Sequence, residues 1–196
     1  MKTGISIFLA LMAFLLQATH LQGQTSELDL TYKLAVDPNV KIGRLDNGLV
    51  YYIRKNNKPE KRIEMRLVVN AGSILENDDQ QGLAHFMEHM NFNGTRNFPK
   101  NELIDFLQKT GVKFGADINA YTSFDETVYM LQLPTDDPKL VETGYKVLED
   151  WAQYALLDGK EIDKERGIIV EEWRLGLGAN DRMRKKYFPI LFTNSK

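Results

Sequence analysis

Apolar positions change period several times along the chain, and each change marks an element. Ile5 to Leu16 is apolar with Ser6 as its only break, and polar residues follow from Gln17. Glu27 to Lys41 is polar and has no clear period. After the turn signal Asp46-Asn47-Gly48, the run Leu49-Val50-Tyr51-Tyr52-Ile53-Arg54 is rich in strand formers. Asn56-Asn57-Lys58-Pro59 makes another turn. Ile63, Met65, Leu67, Val68 and Val69 then give a second strand that stops at Ala71-Gly72-Ser73. Two neighbouring strands on a short loop predict an antiparallel pair.

From Asn77 the period becomes helical. Asn77-Asp78-Asp79 offers a cap, Leu83, Phe86, Met87 and Met90 offer apolar contacts, and Asn93-Gly94 ends the helix. A second helix starts at Pro99-Lys100-Asn101, shows Leu103, Ile104, Phe106 and Leu107 on one face, and stops at Gly111. Strands are expected over Val112–Tyr121 and Thr127–Leu133, with a turn around Ser123-Phe124-Asp125. Asp137-Pro138 is a capped helix start with proline in the first position. That helix should reach about Leu157, where Asp158-Gly159 breaks it, and a last one should run from about Glu161 to Leu175. The order predicts an α+β fold: a mostly antiparallel sheet with helices packed on one face.

Composition adjusts this picture in three ways. A chain of 196 residues suffices for one domain with a sizeable core. The net charge of −2 and the lack of a basic stripe interleaved with aromatics exclude nucleic acid as the expected partner. There is no cysteine, which rules out disulfides, thiol chemistry and thiolate metal sites. Lys2 followed by a short apolar run reads as a secretory signal, too short for a comfortable membrane span. The expected organisation is a signal peptide over 1–23, a lead-in over 24–43 and one domain over 44–196, in a periplasmic or otherwise exported protein with no stable membrane span after cleavage.

The chemistry concentrates in His85-Phe86-Met87-Glu88-His89. The chain has three histidines, and two of them stand four residues apart here. One helical turn separates them, so both imidazoles leave the same helix face, and Glu88 shares it. Two neutral nitrogen ligands and an adjacent carboxylate are what a catalytic zinc site needs from one helix. The order His-x-x-Glu-His is the inverzincin pattern. A plain surface helix is the bland alternative, and a third ligand would decide against it. Glu165, Ile168, Ile169 and Glu172 follow i, i+3, i+4, i+7 on the last helix and share a face. Carboxylates on an apolar stripe are costly unless paired or bound to metal. One of Glu165 and Glu172 could ligate while the other orients a histidine from behind. Glu171 points about 100 degrees away.

These motifs, with Asp46-Asn47-Gly48-Leu49, Val69-Asn70-Ala71-Gly72-Ser73, Phe92-Asn93-Gly94-Thr95 and Asn119-Ala120-Tyr121-Thr122, resemble the M16 metallopeptidases, the family of pitrilysin, insulin-degrading enzyme and the mitochondrial processing peptidase. The stretch Glu88 to Thr95 is most similar to its exported bacterial members. The resemblance implies an M16-like (LuxS-like) metallohydrolase domain holding one Zn2+ per chain. His85, His89 and Glu172 would be the metal ligands, Glu88 the general base that activates water, and Glu165 the supporting carboxylate. Asn119, Ala120 and Tyr121 would form the edge strand to which substrate adds by main-chain hydrogen bonds. The implied function is zinc-dependent endopeptidase action on a peptide or small protein. The alternative is a non-catalytic peptide-binding subunit or an inactive fragment. Family members close two halves over the peptide, so the chain is expected to be incomplete at its C-terminus. It would then need the C-terminal half of the clamshell or a partner chain, and would cleave poorly alone.

Overall fold

The computed structural model describes residues 31–195 apart from Asn101; the expected signal peptide lies outside the described residues. The chain divides into two compact units, up to Lys55 and from Asn56 onward. In the first, β1 (Val40–Arg44) pairs antiparallel with β2 (Val50–Arg54), in register from Val40 opposite Arg54 to Arg44 opposite Val50. The Asp46-Asn47-Gly48 turn connects them, with Asn47 Oδ1 accepting the Leu49 N–H at 3.1 Å. The expected boundary at 43/44 therefore falls inside a strand.

The second unit is built on a three-stranded antiparallel sheet in the order β3-β5-β4, with β3 at Arg62–Val69, β4 at Ile118–Thr122 and β5 at Thr127–Pro134. The pairing expected between the first two strands of the reading is replaced: the partner of β2 is β1, and that of β3 is β5. The alternation of β3 fixes which side is covered. Ile63, Met65, Leu67 and Val69 face inward, while Arg62, Glu64, Arg66 and Val68 are exposed. In β5 the inward set is Tyr129, Leu131 and Leu133, paired across the ladder with Ile118 and Ala120 of β4 and with Ile63, Met65 and Leu67 of β3.

Helices cover that face. Leu103 and Leu107 of α2 (Glu102–Lys109) and Leu140, Val147 and Trp151 of α3 (Pro138–Gln153) complete one core with Met65, Tyr129, Leu131 and Leu133. Each fully buried leucine contributes roughly 1.5–3 kcal/mol. Asp137 caps α3 by accepting the Lys139 N–H at 2.9 Å, as its sequence predicts. Gly144 lets α3 approach the sheet, because a Cβ there would collide with the Leu133 side chain and the Met65 sulfur. The expected strand over 112–121 begins only at Ile118. Gly111 and Gly115, both at positive φ, hold the preceding residues in turns, where Asp117 Oδ2 accepts the Lys113 N–H.

Three more helices follow from the packing. α1 (Leu83–Met90) lies against β4, β5 and α4 (Gly159–Gly176). α5 (Ala179–Leu191) has no counterpart in the sequence reading. Its Phe188 and the adjoining Phe192 touch Phe124 in the β4–β5 turn, with ring centroids 5.9 and 5.7 Å away. No helix among the described residues is long and apolar enough to cross a membrane.

Candidate metal centre

α1 begins at Gly82, whose φ of 92° suits glycine. Its cap is not Asn77-Asp78-Asp79. Glu76 accepts the Gly82 N–H through Oε2 at 2.8 Å and the Ala84 N–H through Oε1 at 2.7 Å. A carboxylate from outside the helix thus satisfies two of the donors at its start and complements its dipole. His85 and His89 leave this helix toward α4, and their rings meet edge to face with centroids 4.6 Å apart.

Glu172 of α4 closes the triangle. His85 Nε2 and His89 Nε2 are 3.2 Å apart, and Glu172 Oε2 is 3.6 and 3.4 Å from them. A tetrahedral centre with bonds of about 2.0–2.1 Å has ligand–ligand edges of about 3.3–3.4 Å. The observed triangle has that size. Its chemistry fits a cation too, since three lone-pair atoms converge where only protons or a metal could relieve their repulsion. Glu171, one residue away, faces Arg174 at 3.0 Å.

Behind His89 stands Glu165, whose Oε1 lies 2.7 Å from His89 Nδ1. The carboxylate can only accept, so Nδ1 carries the proton and Nε2 presents its lone pair to the triangle. Glu165 is 7% exposed, in keeping with a carboxylate whose oxygens are both bonded. Its Oε2 accepts from Asn93 Nδ2 at 2.7 Å. The loop carrying Asn93 is itself held by α3. Buried Asp150 accepts from Thr95 Oγ1 at 2.6 Å and from the backbone N–H and Nδ2 of Asn97 at 2.8 and 2.6 Å.

Glu88 faces β4 rather than α4. It is 8% exposed, and its Oε2 accepts from Thr122 Oγ1 at 2.6 Å. Thr127 Oγ1 sits 3.3 Å from Thr122 Oγ1 and gives its proton to the Ala71 carbonyl at 2.9 Å. The Thr122 proton goes to the Glu88 carboxylate, which can only accept. Tyr129 lies close behind. Burial pushes its phenol up to about 12; the hydrogen bond from Asn91 works against the shift and the Glu88 charge adds to it.

His85, Glu88, His89, Glu165 and Glu172 line one open cavity of about 710 Å³, with Asn119 and Ala120 of β4 on its rim and Phe92, Ile104, Phe114 and Ile168 as apolar walls. Tyr121 is not part of that lining; its hydroxyl donates to Glu126 at 2.8 Å. Sequence reasoning missed Thr122, Asn93 and Glu76. Thr122 and Asn93 sat inside quoted motifs, but only tertiary contacts give their side chains a task.

The model of the insulinase family of peptidases, M16, matches residues 51–185. The chain belongs to that family. Among its M16 relatives, the probable zinc protease PqqL of Haemophilus influenzae is 42% identical over 183 residues, which is 93% of this chain and 20% of that protein. The solved first half of the periplasmic protease PqqL from Escherichia coli is similar with a TM-score of 0.79 at 39% identity, covering 83% of this chain and 35% of that one. The ferredoxin protease FusC, solved in complex with Arabidopsis ferredoxin, is similar with a TM-score of 0.71 at 33% identity, covering 80% of this chain and 17% of that one. This M16 chain therefore spans about a fifth of the length of the two bacterial PqqL proteins it matches.

Proposed function

We propose that this chain is the zinc-carrying part of an exported M16 endopeptidase, with His85, His89 and Glu172 as ligands and Glu88 as general base. The observation that carries the reading is the triangle of ligand atoms with edges of 3.2, 3.4 and 3.6 Å, backed by Glu165. A zinc ion held there would supply Lewis acidity toward a water molecule and a peptide carbonyl. The chain's own residues do the rest. Thr122 steadies Glu88, which takes a proton from the attacking water and returns it to the leaving amine. Glu165 keeps His89 in the ligating tautomer.

The peptide would dock on β4, the outer strand of its sheet among the described residues. The Ala120 N–H is now bonded to Asn119 Oδ1 at 2.9 Å, so an incoming strand would have to displace that side chain. The substrate is a peptide or small protein. The remaining wall of the chamber comes from a further half of the protein or from a partner chain. That view is supported by the large apolar side chains left exposed on α4 and α5, among them Trp173 at 65%, Leu175 at 78% and Ile190 at 75%. An exported location is supported by the apolar N-terminal run and by the periplasmic relative.

Metal analysis of the purified protein is expected to find zinc near one per chain, lost in His85→Ala. Glu88→Gln should keep the metal and lower peptide hydrolysis by about 10²–10⁴-fold. A metal-free parent protein would rule out the centre, and undiminished cleavage by Glu88→Gln would rule out its role as base.

A further inference from the structure

Asn93 lies just past the end of α1, in a stretch whose sequence signals only an Asn-Gly turn. The structure gives its side-chain amide two bonds. Nδ2 donates to Glu165 Oε2 at 2.7 Å and to the His89 main-chain carbonyl at 3.3 Å. Glu165 Oε1 is meanwhile 2.7 Å from His89 Nδ1. The contacts close a ring: His89 imidazole, Glu165 carboxylate, Asn93 amide, His89 carbonyl.

That ring restricts a soft torsion. The terminal torsion of a glutamate is broad, and one hydrogen bond from an imidazole leaves the carboxylate free to rock about it. A second donor on the other oxygen fixes the carboxylate plane. The bond is charge-assisted, hence short and strong. Anchoring Asn93 to the backbone of the very residue whose ring is being aimed ties that plane to α1 itself. The loop cannot drift, because Asp150 clamps it at Thr95 and Asn97.

We propose that Asn93 is a positioning residue for the metal centre: it locks Glu165, and through Glu165 it holds His89 with Nε2 turned toward His85 and Glu172. The proposal rests on the reading of those three residues as a zinc site. A mere turn role for Asn93 would account for the Asn-Gly sequence but not for the bond to Glu165, which lies 72 residues away.

The test is zinc affinity of the full-length protein, measured at fixed pH by competition with a chromophoric chelator, with the Co2+ absorption spectrum as a report on ligand geometry. Asn93→Leu removes the donor at similar volume and is expected to weaken zinc about tenfold, and Glu165→Ala by about 10–100-fold. The double variant should be no weaker than Glu165→Ala alone, because Asn93 then has nothing left to position. Asn93→Leu should also alter the Co2+ spectrum. Unchanged zinc affinity in Asn93→Leu, or a penalty that adds in full to that of Glu165→Ala, overturns the proposal. If Asn93→Leu does not fold, Asn93→Asp puts an acceptor in place of the donor at nearly equal size and is judged by the same two outcomes. Absence of zinc from the parent protein overturns the centre and the proposal together; zinc-loaded parent protein with an indifferent Asn93 overturns the proposal alone.

Discussion

Two of the neighbours of α1 hold it in different ways. Toward α4 the contacts are made by ionisable groups: His89 to Glu165 at 2.7 Å, and both histidines to Glu172 at 3.4 and 3.6 Å. Toward β4 the contact is made by a hydroxyl, with Thr122 donating to Glu88; Thr127 of β5, 3.3 Å from Thr122, donates to the Ala71 carbonyl behind it. The difference matches the two tasks. A metal ligand gains basicity and a fixed tautomer from a carboxylate behind it. A general base needs a fixed direction, and a neutral hydroxyl gives direction without adding a charge beside it. On the proposed reading, one helix can carry both functions because its two flanks are chemically unlike.

Substitutions on each flank should separate the two tasks. The largest effect is expected on the α4 side. Glu165→Ala should weaken zinc binding by about 10–100-fold, or about 1.4–2.8 kcal/mol, in a chelator competition. Turnover per zinc-loaded molecule should change far less. A variant that binds zinc as the parent does would remove the carboxylate flank from the comparison.

On the β4 side the pattern should invert. Thr122→Val should lower kcat for a fluorogenic peptide about tenfold, a typical share of general-base efficiency, while zinc affinity stays put. Thr122→Ser keeps the donor and should recover most of the loss. If zinc affinity falls along with kcat, the two flanks are not independent.

The unequal legibility of these flanks has a physical cause. The shared face of His85 and His89 follows from helical periodicity, and that of Glu165 and Glu172 from the same rule over two turns, so the α4 flank was readable as geometry within single helices; the roles proposed for these residues came from the family resemblance. Inward-facing Ile63, Met65 and Leu67 were readable for the same reason, at period two. Thr122 was not, because its partner Glu88 is 34 residues away and nothing local distinguishes it from any strand threonine. β1 escaped notice because its five residues are exposed or half-buried and its apolar alternation is limited to Val40 and Ile42, too short to stand out from the polar stretch before it. α5 was hidden by Pro189 within it, although Met183, Tyr187, Ile190 and Leu191 follow i, i+4, i+7, i+8 on one face.

The Tyr129 phenol reports on the β4 flank from behind. Its pKa is raised to about 12, chiefly by burial, with the Glu88 charge contributing; in the unfolded chain it would titrate near ~10. Below pH ~10 both states keep the proton and the fold loses nothing. Between these values the unfolded chain ionises first, so stability falls as pH rises, by up to about 1.4 kcal/mol per pH unit. Denaturant titrations across this window should show that slope in the parent and a shallower one in Tyr129→Phe. Equal slopes would mean that the phenol is not held neutral by the packed sheet.

The smallest effect should fall on both flanks at once. Glu76 caps α1 through the N–H groups of Gly82 and Ala84, and that helix carries two of the proposed ligands and the proposed base. Glu76→Ala leaves those donors to water and removes a negative charge from the positive end of the helix dipole. The expected cost is about 1 kcal/mol of stability in denaturant titrations. If the loss of the cap loosens the first turn as a unit, zinc affinity and turnover should each drop by no more than about fivefold, and by similar factors. His85 lies one residue beyond the capped Ala84, whereas Glu88 lies a full turn further in. A loss confined to zinc affinity would therefore show that the cap acts on His85 alone and that β4 holds Glu88 without help from the helix start.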